Sequence, residues 1–351
     1  MQRSPDRDQP LRVVQWATGT IGARSLRAVL DHPRMVLAGV HVHSPGKSGR
    51  DAGELCGAGP TGVTTTHRLD DVLALGADCV LYMPRVTDLD EVSALLSSGV
   101  NVVATTGGLH HPAGMDPAVR NRVEEACERG GASLHDTGSS PGFITEAVPL
   151  VLASVQRRLD NLTVHEYADL SRRDSPELLF DIMGFGREPA ASFDEGRLAH
   201  IEGSFGPSLR LVADALGLPL DSVEVRGEFA TAARTTDIAA GLLHAGTVAA
   251  QRMTLSGLRE GRTLLEFQAT WYCTGDLDPA WELRPTGWHL TVDGDAPLDI
   301  DMRFPVPLER LAAVSPGYTA HRAVNAVHAV CAAAPGIRTT VDLPPFTALF
   351  G

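Results

Sequence analysis

Residues 11–30 read LRVVQWATGTIGARSLRAVL, and this stretch decides how the first half of the chain folds. Strand-favouring residues run into a turn of small residues, and an amphipathic helical pattern follows at once. The turn has the spacing Ala17-x-Gly19-x-x-Gly22, a dinucleotide-binding fingerprint with alanine at its first glycine position. Gly19 would let a pyrophosphate approach the backbone, and Gly22 would let the helix pack closely on the strand. The alternative is an ordinary strand-to-helix turn. The residues predicted to contact a dinucleotide here are Ala17, Thr18, Gly19, Thr20, Ile21 and Gly22.

Alternating strand and helix patterns continue to Thr137. Short buried strands are predicted at residues 35–42, 77–83, 101–106 and 132–137, with helices between them. This alternation predicts an α/β Rossmann domain with a doubly wound parallel sheet, and ligands bind beyond the carboxyl ends of such strands. The further residues predicted at that edge are Met83, Pro84, Thr105, Thr106 and Gly107.

The segment after the second strand predicts which dinucleotide binds. NAD-specific sites carry an acidic residue here that binds the ribose hydroxyls, whereas this chain continues with Ser44, Lys47 and Arg50. Two cations and a serine favour the extra phosphate of NADP(H), so NADP(H) is predicted to be preferred over NAD(H). The alternative is a solvated loop with incidental charges.

The pattern changes from Gly138 onward. Consecutive strands, predicted at residues 162–170, 223–230, 247–256, 263–272, 288–292 and 298–303, are joined by short turns and interrupted by few helices, at residues 177–183 and 209–216. Such strands are typical of an open, mainly antiparallel sheet in an α+β domain. We therefore predict a dinucleotide-binding domain at residues 1–142, completed by a C-terminal helix within residues 318–351, and a substrate and dimerisation domain at residues 143–317. One open face of the sheet needs a cover, either helices or a second subunit.

Composition excludes several classes of partner. The net charge of −13 argues against nucleic acid and anionic membranes. The first ten residues do not resemble a signal peptide, and no apolar run reaches the length of a membrane span, so a cytoplasmic protein is expected. Five cysteines without C-x-x-C spacing indicate reduced thiols and no metal site.

Four further motifs carry a family resemblance. They are Arg50-Asp51-Ala52-Gly53, Thr137-Gly138-x-x-Pro141-Gly142-Phe143, Met183-Gly184-Phe185-Gly186 and Arg322-Ala323-Val324-Asn325-Ala326. From Val13 to about Leu343 the chain resembles the dihydrodipicolinate-reductase-like oxidoreductases of the 2,4-diaminopentanoate dehydrogenase and native amine dehydrogenase group. The resemblance implies a nicotinamide enzyme that moves hydride to or from a C–N centre. It also implies a homodimer formed through the sheet of the second domain, with the last helix folding back to the first.

Two positions depart from that family. Dihydrodipicolinate reductases carry a mid-chain histidine and lysine for proton donation, whereas Lys47 is the only lysine of this chain. Dihydrodipicolinate reduction is therefore not expected. Amine dehydrogenases place a glutamate after the fourth strand, and Gly107 stands at that position here. The general acid of the family is consequently missing or relocated.

Several side chains are candidates to replace that acid. His110 and His111 follow the same loop, and an imidazole exchanges protons near neutral pH, although loop histidines are commonly surface or hydrogen-bonded residues. Tyr167 and Asp169 alternate on one strand and would point into one layer; alternatively Tyr167 is core and Asp169 caps the strand end. Asn325 is a candidate to orient the cofactor carboxamide or a substrate, or it satisfies buried backbone. The apolar walls predicted for the substrate are Phe143, Met183 and Phe185, although core residues have the same character.

These features favour an NADPH-dependent oxidoreductase acting on an imine, amine or carbonyl of a small, largely apolar molecule. The first alternative is an NADPH-dependent reductase of a conjugated double bond or ketone, because hydride delivery needs the same cofactor site. The second is a binding protein that senses NADP(H) with reduced catalysis, which the glycine at position 107 keeps open.

Overall fold

The computed structural model describes residues 9–190 and 193–348. Most of the predicted N-terminal tail lies outside the described residues. The chain divides into two compact units, each described by itself below. The first contains the chain up to Phe143 together with the chain from Ser315 onward, and the second contains Ile144–Val314.

The first unit has a six-stranded sheet in which every neighbouring pair of strands is parallel. Its strands are β1 (Leu11–Trp16), β2 (Met35–His41), β3 (Cys79–Tyr82), β4 (Asn101–Ala104), β5 (Ser133–Asp136) and β15 (Gly336–Ile337). The spatial order β15-β5-β4-β3-β1-β2 confirms the predicted doubly wound Rossmann sheet. Strand β15 was not predicted because it has only two residues and directly follows Pro335.

Helices cover both faces of this sheet. They are α1 (Thr20–Leu30), α2 (Ala52–Cys56), α3 (Leu69–Leu73), α4 (Leu89–Ser97), α5 (Pro117–Gly130) and α9 (Pro316–Ala332). Leu26 of α1 and Val327 of α9 lie in one buried cluster, whereas Leu95 of α4 and Val123 of α5 lie in the other. The strands are therefore buried on both faces, which explains their continuous apolar sequences.

The second unit has a seven-stranded mixed sheet. Its strands are β6 (Leu159–Asp169), β7 (Ser222–Ala232), β10 (Val248–Arg259), β11 (Arg262–Tyr272), β12 (Leu277–Asp278), β13 (Gly287–Gly294) and β14 (Leu298–Arg303), while β8 (Thr236–Ile238) and β9 (Gly241–Leu243) form a separate hairpin. The strands of the sheet lie in the order β12-β7-β10-β11-β6-β13-β14. Within this sheet the β6–β11 pair is parallel and the other pairs are antiparallel, which agrees with the predicted mainly antiparallel sheet.

Helix α7 (Glu195–Ala215) packs on one face of this sheet, and α6 (Val148–Ala153) and α8 (Leu308–Val314) complete the unit. The ring of Phe205 stacks on Phe267 with centroids 4.4 Å apart. The helix predicted at residues 209–216 was much too short, because Pro207 and the glycines before it argued against helix. Burial of Ile201, Phe205 and Leu209 against the sheet outweighs those propensities.

The face of this sheet that lies opposite α7 is polar. Gln268 donates to the Thr254 hydroxyl at 3.0 Å, and Ser256 donates to the Glu266 carboxylate at 3.1 Å. These polar groups already have hydrogen-bond partners within the sheet. Cover of this face by a second subunit stays a prediction.

Candidate functional site

The fingerprint turn at the end of β1 brings helix and strand into close contact. A Cβ atom at Gly22 would lie 2.2 Å from the carbonyl oxygen of Ala17, so only glycine fits there. A Cβ at Gly19 would meet nothing within 4 Å, which leaves open space at the start of α1. Ala17 adopts φ +70°, a left-handed conformation that glycine usually supplies. These are the close packing and the open backbone edge that a bound pyrophosphate requires.

A buried glutamine supports the turn and was not found from the sequence. The side-chain amide of Gln15 donates to the carbonyl oxygens of Ala17 at 3.0 Å and Trp16 at 3.2 Å. These hydrogen bonds hold the end of β1 in the conformation that exposes Gly19 and Thr20 at the helix start. No sequence motif marks Gln15, because its role depends on the turn geometry.

The segment after β2 brings Lys47 to the fingerprint turn. The Lys47 ammonium donates to the backbone carbonyl oxygen of Thr18 at 3.2 Å and lies 3.4 Å from the Thr18 hydroxyl. Ser44 is exposed and precedes the short 3₁₀ turn Pro45–Lys47. The Arg50 guanidinium is exposed and forms an ion pair with Glu54 at 3.0 Å. The three predicted residues therefore lie on one short segment, with Lys47 nearest the turn.

Asp51 organises the Arg50-Asp51-Ala52-Gly53 motif. Its carboxylate accepts hydrogen bonds from the backbone amides of Gly53, Thr61 and Gly62. These bonds hold the pKa of Asp51 below its ordinary value. A Cβ at Gly53 would lie 2.0 Å from the Gly59 carbonyl oxygen. This motif is therefore a rigid support for the segment that carries Lys47 and Arg50.

The last residues of β1 and β2, Trp16 and His41, form a stacked aromatic pair. The rings of Trp16 and His41 lie 3.6 Å apart and nearly parallel. Burial, with the neighbouring His43 imidazole, lowers the pKa of His41 to about 4. His41 is consequently neutral near pH 7 and acts as a packing group at this edge.

The segment after β3 lies beside the same turn. The Met83 amide donates to the Trp16 carbonyl oxygen at 3.1 Å, and Pro84 is half-buried. Next to it, His43, Val86 and Thr87 help line an open groove of about 510 Å³. Met83 and Pro84 are thus placed at the carboxyl edge of the sheet together with the fingerprint.

The loop after β4 is held by Asp136, which the sequence did not single out. The Asp136 carboxylate, at the end of β5, accepts the backbone amides of Thr106 at 3.1 Å and Leu109 at 2.9 Å. The two residues between the bonded amides are Gly107, with φ +85°, and the exposed Gly108. Thr105, Thr106 and Gly107 therefore form a fixed turn at the same strand edge as the fingerprint.

His110 and His111 are buried and not on the surface. His110 Nε2 lies 3.8 Å from an Asp136 oxygen, and both side chains are almost fully shielded from solvent. His111 is exposed by only 6 %. Burial beside Asp136 favours a structural role for His110 over the role of a solvent-accessible acid.

The last helix is tied to the turn before Phe143. Thr319 Oγ1, in α9, accepts the backbone amide of Ser139 at 3.2 Å. The Arg322 guanidinium of the same helix lies 5.9 Å from the centre of the Phe143 ring. Asn325 is half-buried one helical turn further on. Asn325 and Phe143 are thus both positioned by the first unit.

In the second unit, Tyr167 belongs to a hydrogen-bonded network on the polar sheet face. Its hydroxyl lies 2.8 Å from Nδ1 of His165, whose Nε2 lies 2.9 Å from the Thr270 hydroxyl. Burial raises the pKa of Tyr167, and burial together with the nearby Arg252 lowers the pKa of His165 to about 3. Neutral His165 is therefore the hydrogen-bond partner of Tyr167. Sequence reasoning missed His165, because no motif marks it.

Asp169 makes a local hydrogen bond at the end of its strand, which favours the capping role given above as the alternative. Its carboxylate accepts the backbone amide of Ser171 at 2.9 Å at the end of β6. The predicted shared layer with Tyr167 follows from the strand alternation, but each side chain has its own hydrogen-bond partners.

The Met183-Gly184-Phe185-Gly186 motif forms a tight turn. The Met183 carbonyl oxygen accepts hydrogen bonds from Arg197 at 2.7 Å and Gln251 at 2.6 Å. Phe185 is fully buried in the core of the second unit, whereas Met183 is half-buried. The position of Phe185 favours a core residue over a substrate wall, because a side chain surrounded by its own core has no free surface.

Within residues 9–190 and 193–348, no helix is long and apolar enough to cross a membrane. The same ranges contain no group of three histidine, cysteine or acidic side chains arranged to hold a metal ion.

Two family models match the chain. Residues 143–351 match the 2,4-diaminopentanoate dehydrogenase C-terminal domain, and residues 13–131 match the N-terminus of dihydrodipicolinate reductase. The two matched segments together account for most of the sequence.

Related proteins align with this chain over most of its length. An amine dehydrogenase of Streptomyces virginiae is 28% identical over 347 residues, which cover 95% of this chain and 96% of the relative. A 2,4-diaminopentanoate dehydrogenase of Acetoanaerobium sticklandii is 22% identical over 291 residues, covering 82% and 77%. The solved structure of an amine dehydrogenase from Mycobacterium smegmatis has a TM-score of 0.74 at 20% identity and covers 97% of this chain and 98% of that chain, which shows the shared fold.

Proposed function

Because the chain belongs to the family defined by the 2,4-diaminopentanoate dehydrogenase C-terminal domain, we propose that it transfers hydride between NADP(H) and a carbon–nitrogen centre of a small, largely apolar molecule. It is an oxidoreductase of the amine dehydrogenase and 2,4-diaminopentanoate dehydrogenase type and depends on a nicotinamide dinucleotide. The dinucleotide, when bound, supplies or accepts the hydride. The protein's part is to bind and orient it, to exclude water and to manage the proton.

The fingerprint turn supports binding of the pyrophosphate. Gly22 allows α1 to start against β1, and the open space at Gly19 admits an anion to the amides at the helix start. Lys47 adds a positive charge at Thr18. Thr105, Thr106, Gly107 and Asn325 remain the residues proposed to contact the nicotinamide end.

The proposed preference for NADP(H) rests on Ser44, Lys47 and Arg50, and on the lack of an acidic residue directly after β2. Hydrogen bonds between charged groups contribute about 1.5 to 3 kcal/mol each, enough for ten-fold or greater discrimination. Isothermal titration of NADP⁺ and NAD⁺ tests this preference. Equal affinities in the wild type, unchanged in a Lys47→Ala, Arg50→Ala double variant, would contradict it.

The proposed substrate is a preformed imine or iminium, and ketone plus free ammonia is expected to react poorly. The observation that carries this proposal is the Gly107-Gly108 turn, at the position where the resembling amine dehydrogenases place a glutamate. The Asp136 carboxylate contacts that turn, is shielded from solvent, and accepts one backbone amide at each of its oxygens. Its role is to hold the loop, and without a glutamate at position 107 we expect general acid–base assistance worth about 100- to 10,000-fold to be lost.

A preformed iminium avoids this loss, because its carbon already accepts hydride without activation of ammonia. Any remaining proton transfer is proposed to involve His110, His111 or Tyr167. Tyr167 is supported by its hydrogen bond to neutral His165, whereas the burial of His110 beside Asp136 argues for a supporting role.

NADPH oxidation with matched substrates tests the proposal. We expect cyclic imines to be reduced far faster than the corresponding ketones with ammonia. Efficient ammonia-dependent amination by the wild type, unaffected by His110→Ala, His111→Ala or Tyr167→Phe, would overturn it. Faster reduction of enones than of imines would instead identify a double-bond reductase.

We further propose that the chain forms a homodimer through the sheet of the second unit. The sheet face opposite α7 carries hydrogen-bonding side chains such as Gln268 and Thr254, which suit a polar interface between two sheets. Sedimentation velocity at micromolar concentration is expected to show a dimer, and a single monomeric species would contradict the proposal.

A further inference from the structure

The two cations proposed to bind the extra phosphate of NADP(H) have different surroundings. The Lys47 ammonium donates to the Thr18 carbonyl oxygen, and no carboxylate of the described residues lies within 4 Å of it. The Arg50 guanidinium, in contrast, donates from Nε to a Glu54 carboxylate oxygen at 3.0 Å. Of the two, only Lys47 has its full charge available to a phosphate.

Glu54 lies close enough to Arg50 for its negative charge to act on a phosphate bound there. Glu54 lies in the first turn of α2, four residues after Arg50, and both side chains are about half exposed. The backbone beneath them is fixed, since Asp51 holds Gly53, Thr61 and Gly62 through its hydrogen bonds. The backbone that carries Glu54 is therefore held next to Arg50.

We infer that Glu54 is a specificity-determining residue that limits the preference for NADP(H) and keeps NAD(H) usable. This inference rests on the proposed function, because it assumes that the phosphate binds beside Lys47 and Arg50. Glu54 acts in two ways: its carboxylate holds the Arg50 guanidinium, and its negative charge repels the phosphate. NAD(H) lacks that phosphate, so neither effect reaches it.

The size of the effect follows from charges near a protein surface. One unit charge about 6 Å from a doubly charged phosphate in a water-like medium changes affinity by roughly 3- to 10-fold at low ionic strength. Salt at about 0.5 M should reduce most of that change, because the screening length falls well below 10 Å. Removing the charge of Glu54 should therefore tighten NADP⁺ binding selectively and in a salt-dependent manner.

The chain offers a matched control. Arg27 and Asp31 form an exposed ion pair of the same i,i+4 spacing at 2.8 Å, near the end of α1. Asp31 Oδ2 accepts a hydrogen bond from Arg27 Nε at the helix end opposite the fingerprint turn, and Arg27 Nη1 also donates to the Gly57 carbonyl oxygen at 3.4 Å. Asp31→Asn removes one negative charge from the same unit and leaves Lys47, Arg50 and Glu54 unchanged, so it controls for net charge.

Isothermal titration of NADP⁺ and NAD⁺ into the wild type, Glu54→Gln and Asp31→Asn at low and high salt tests the inference. The expected result is about 3- to 10-fold tighter NADP⁺ binding by Glu54→Gln alone, with NAD⁺ affinity unchanged. In an Arg50→Gln background the gain from Glu54→Gln should shrink, because only direct repulsion is then relieved. No selective gain, or an equal gain in Asp31→Asn, overturns the inference while leaving the proposed function standing. A wild type that binds neither dinucleotide overturns the proposed cofactor site, and this inference with it.

Discussion

Gly22 lies so close to Ala17 that a Cβ atom on Gly22 would stand 2.2 Å from the Ala17 carbonyl oxygen. The contact joins the first turn of α1 to the end of β1 and fixes the direction in which the helix amides point. Three residues earlier, Gly19 has empty space where its Cβ would be. Two glycines of one motif therefore serve different purposes, one for the fold and one for the ligand.

This difference predicts opposite behaviour of two alanine variants. Gly22→Ala should destabilise the first unit by about 1–3 kcal/mol, because backbone must shift to relieve the overlap. Gly19→Ala should leave the thermal midpoint almost unchanged and weaken dinucleotide binding, because its methyl group fills space that the protein itself does not use. Thermal unfolding and NADP⁺ titration of both variants check this. Equal loss of stability in the two variants would contradict the assignment.

Asp136 gives the second prediction. Its carboxylate accepts two backbone amides from the loop after β4, and hydrogen bonds to charged groups contribute about 1.5–3 kcal/mol each. We expect Asp136→Ala to destabilise the first unit by at least about 2 kcal/mol and to weaken NADP⁺ and NAD⁺ binding alike. Asp136→Asn should be intermediate, since it keeps one acceptor oxygen. Denaturant unfolding and titration measure both effects, and an Asn variant worse than Ala would argue against the hydrogen-bond explanation.

The buried, neutral side chain of His165 makes the free energy of unfolding depend on pH. The folded pKa of His165 is about 3, well below its ordinary value of 6.5, because of burial and the neighbouring Arg252. Between those values the unfolded chain binds a proton that the folded chain does not, so this contribution to stability is complete above pH 6.5 and is lost as the pH falls towards 3. One proton corresponds to a slope of about 1.4 kcal/mol per pH unit.

His165→Asn should therefore reduce the loss of stability between pH 6.5 and 4, even if its stability at pH 7 is lower. The measurement is the free energy of unfolding of the second unit as a function of pH. The exposed His200 on α7 provides the control, and its replacement by asparagine should leave the slope as it is. A His165→Asn slope equal to that of the wild type would show that another group controls the acid transition.

The sequence was sufficient for the parts of the fold and site that depend on local patterns. Strand β1, the glycine spacing and α1 all follow from residues 11–30, and the buried strands follow from their apolar sequences. The partners of those elements could not be predicted in the same way. Asp136 meets the loop after β4 only because β4 and β5 are neighbours in the sheet, and Gln15 supports the turn through a side chain that no motif marks.

The second unit shows the same limit more strongly. Because of Pro207, the first half of α7 was not predicted from the sequence. Burial of residues such as Phe205, which stacks on Phe267, explains why the helix forms there. The sequence analysis predicted that Phe185 lines a substrate pocket. Gly184 and Gly186, one on each side of it, have left-handed φ values and direct its side chain into the core. Such outcomes depend on contacts between residues far apart in the chain, which periodicity and propensity do not encode.

The final prediction concerns where a glutamate can be restored. Gly107, where the family resemblance predicts a glutamate, has φ +85°, a conformation that costs a residue with a side chain about 1 kcal/mol or more. Gly108 is exposed, has no left-handed φ, and a Cβ there would meet nothing within 4 Å. Gly108→Glu should therefore fold like the wild type, whereas Gly107→Glu should be measurably less stable.

The two variants also test the proposed substrate preference. If the missing carboxylate is what limits use of free ammonia, then a glutamate on this turn should increase ammonia-dependent NADPH oxidation with a ketone by at least ten-fold. Reduction of the matching cyclic imine should change little, because it does not need ammonia to be activated. Gly107→Gln and Gly108→Gln are the controls, since they add the same bulk without a basic carboxylate and should give no gain. A gain in the glutamine variants as large as in the glutamate variants would show that loop shape, and not proton transfer, limits amination. Stably folded glutamate variants with no gain at either position would mean that the carboxylate is not the missing element.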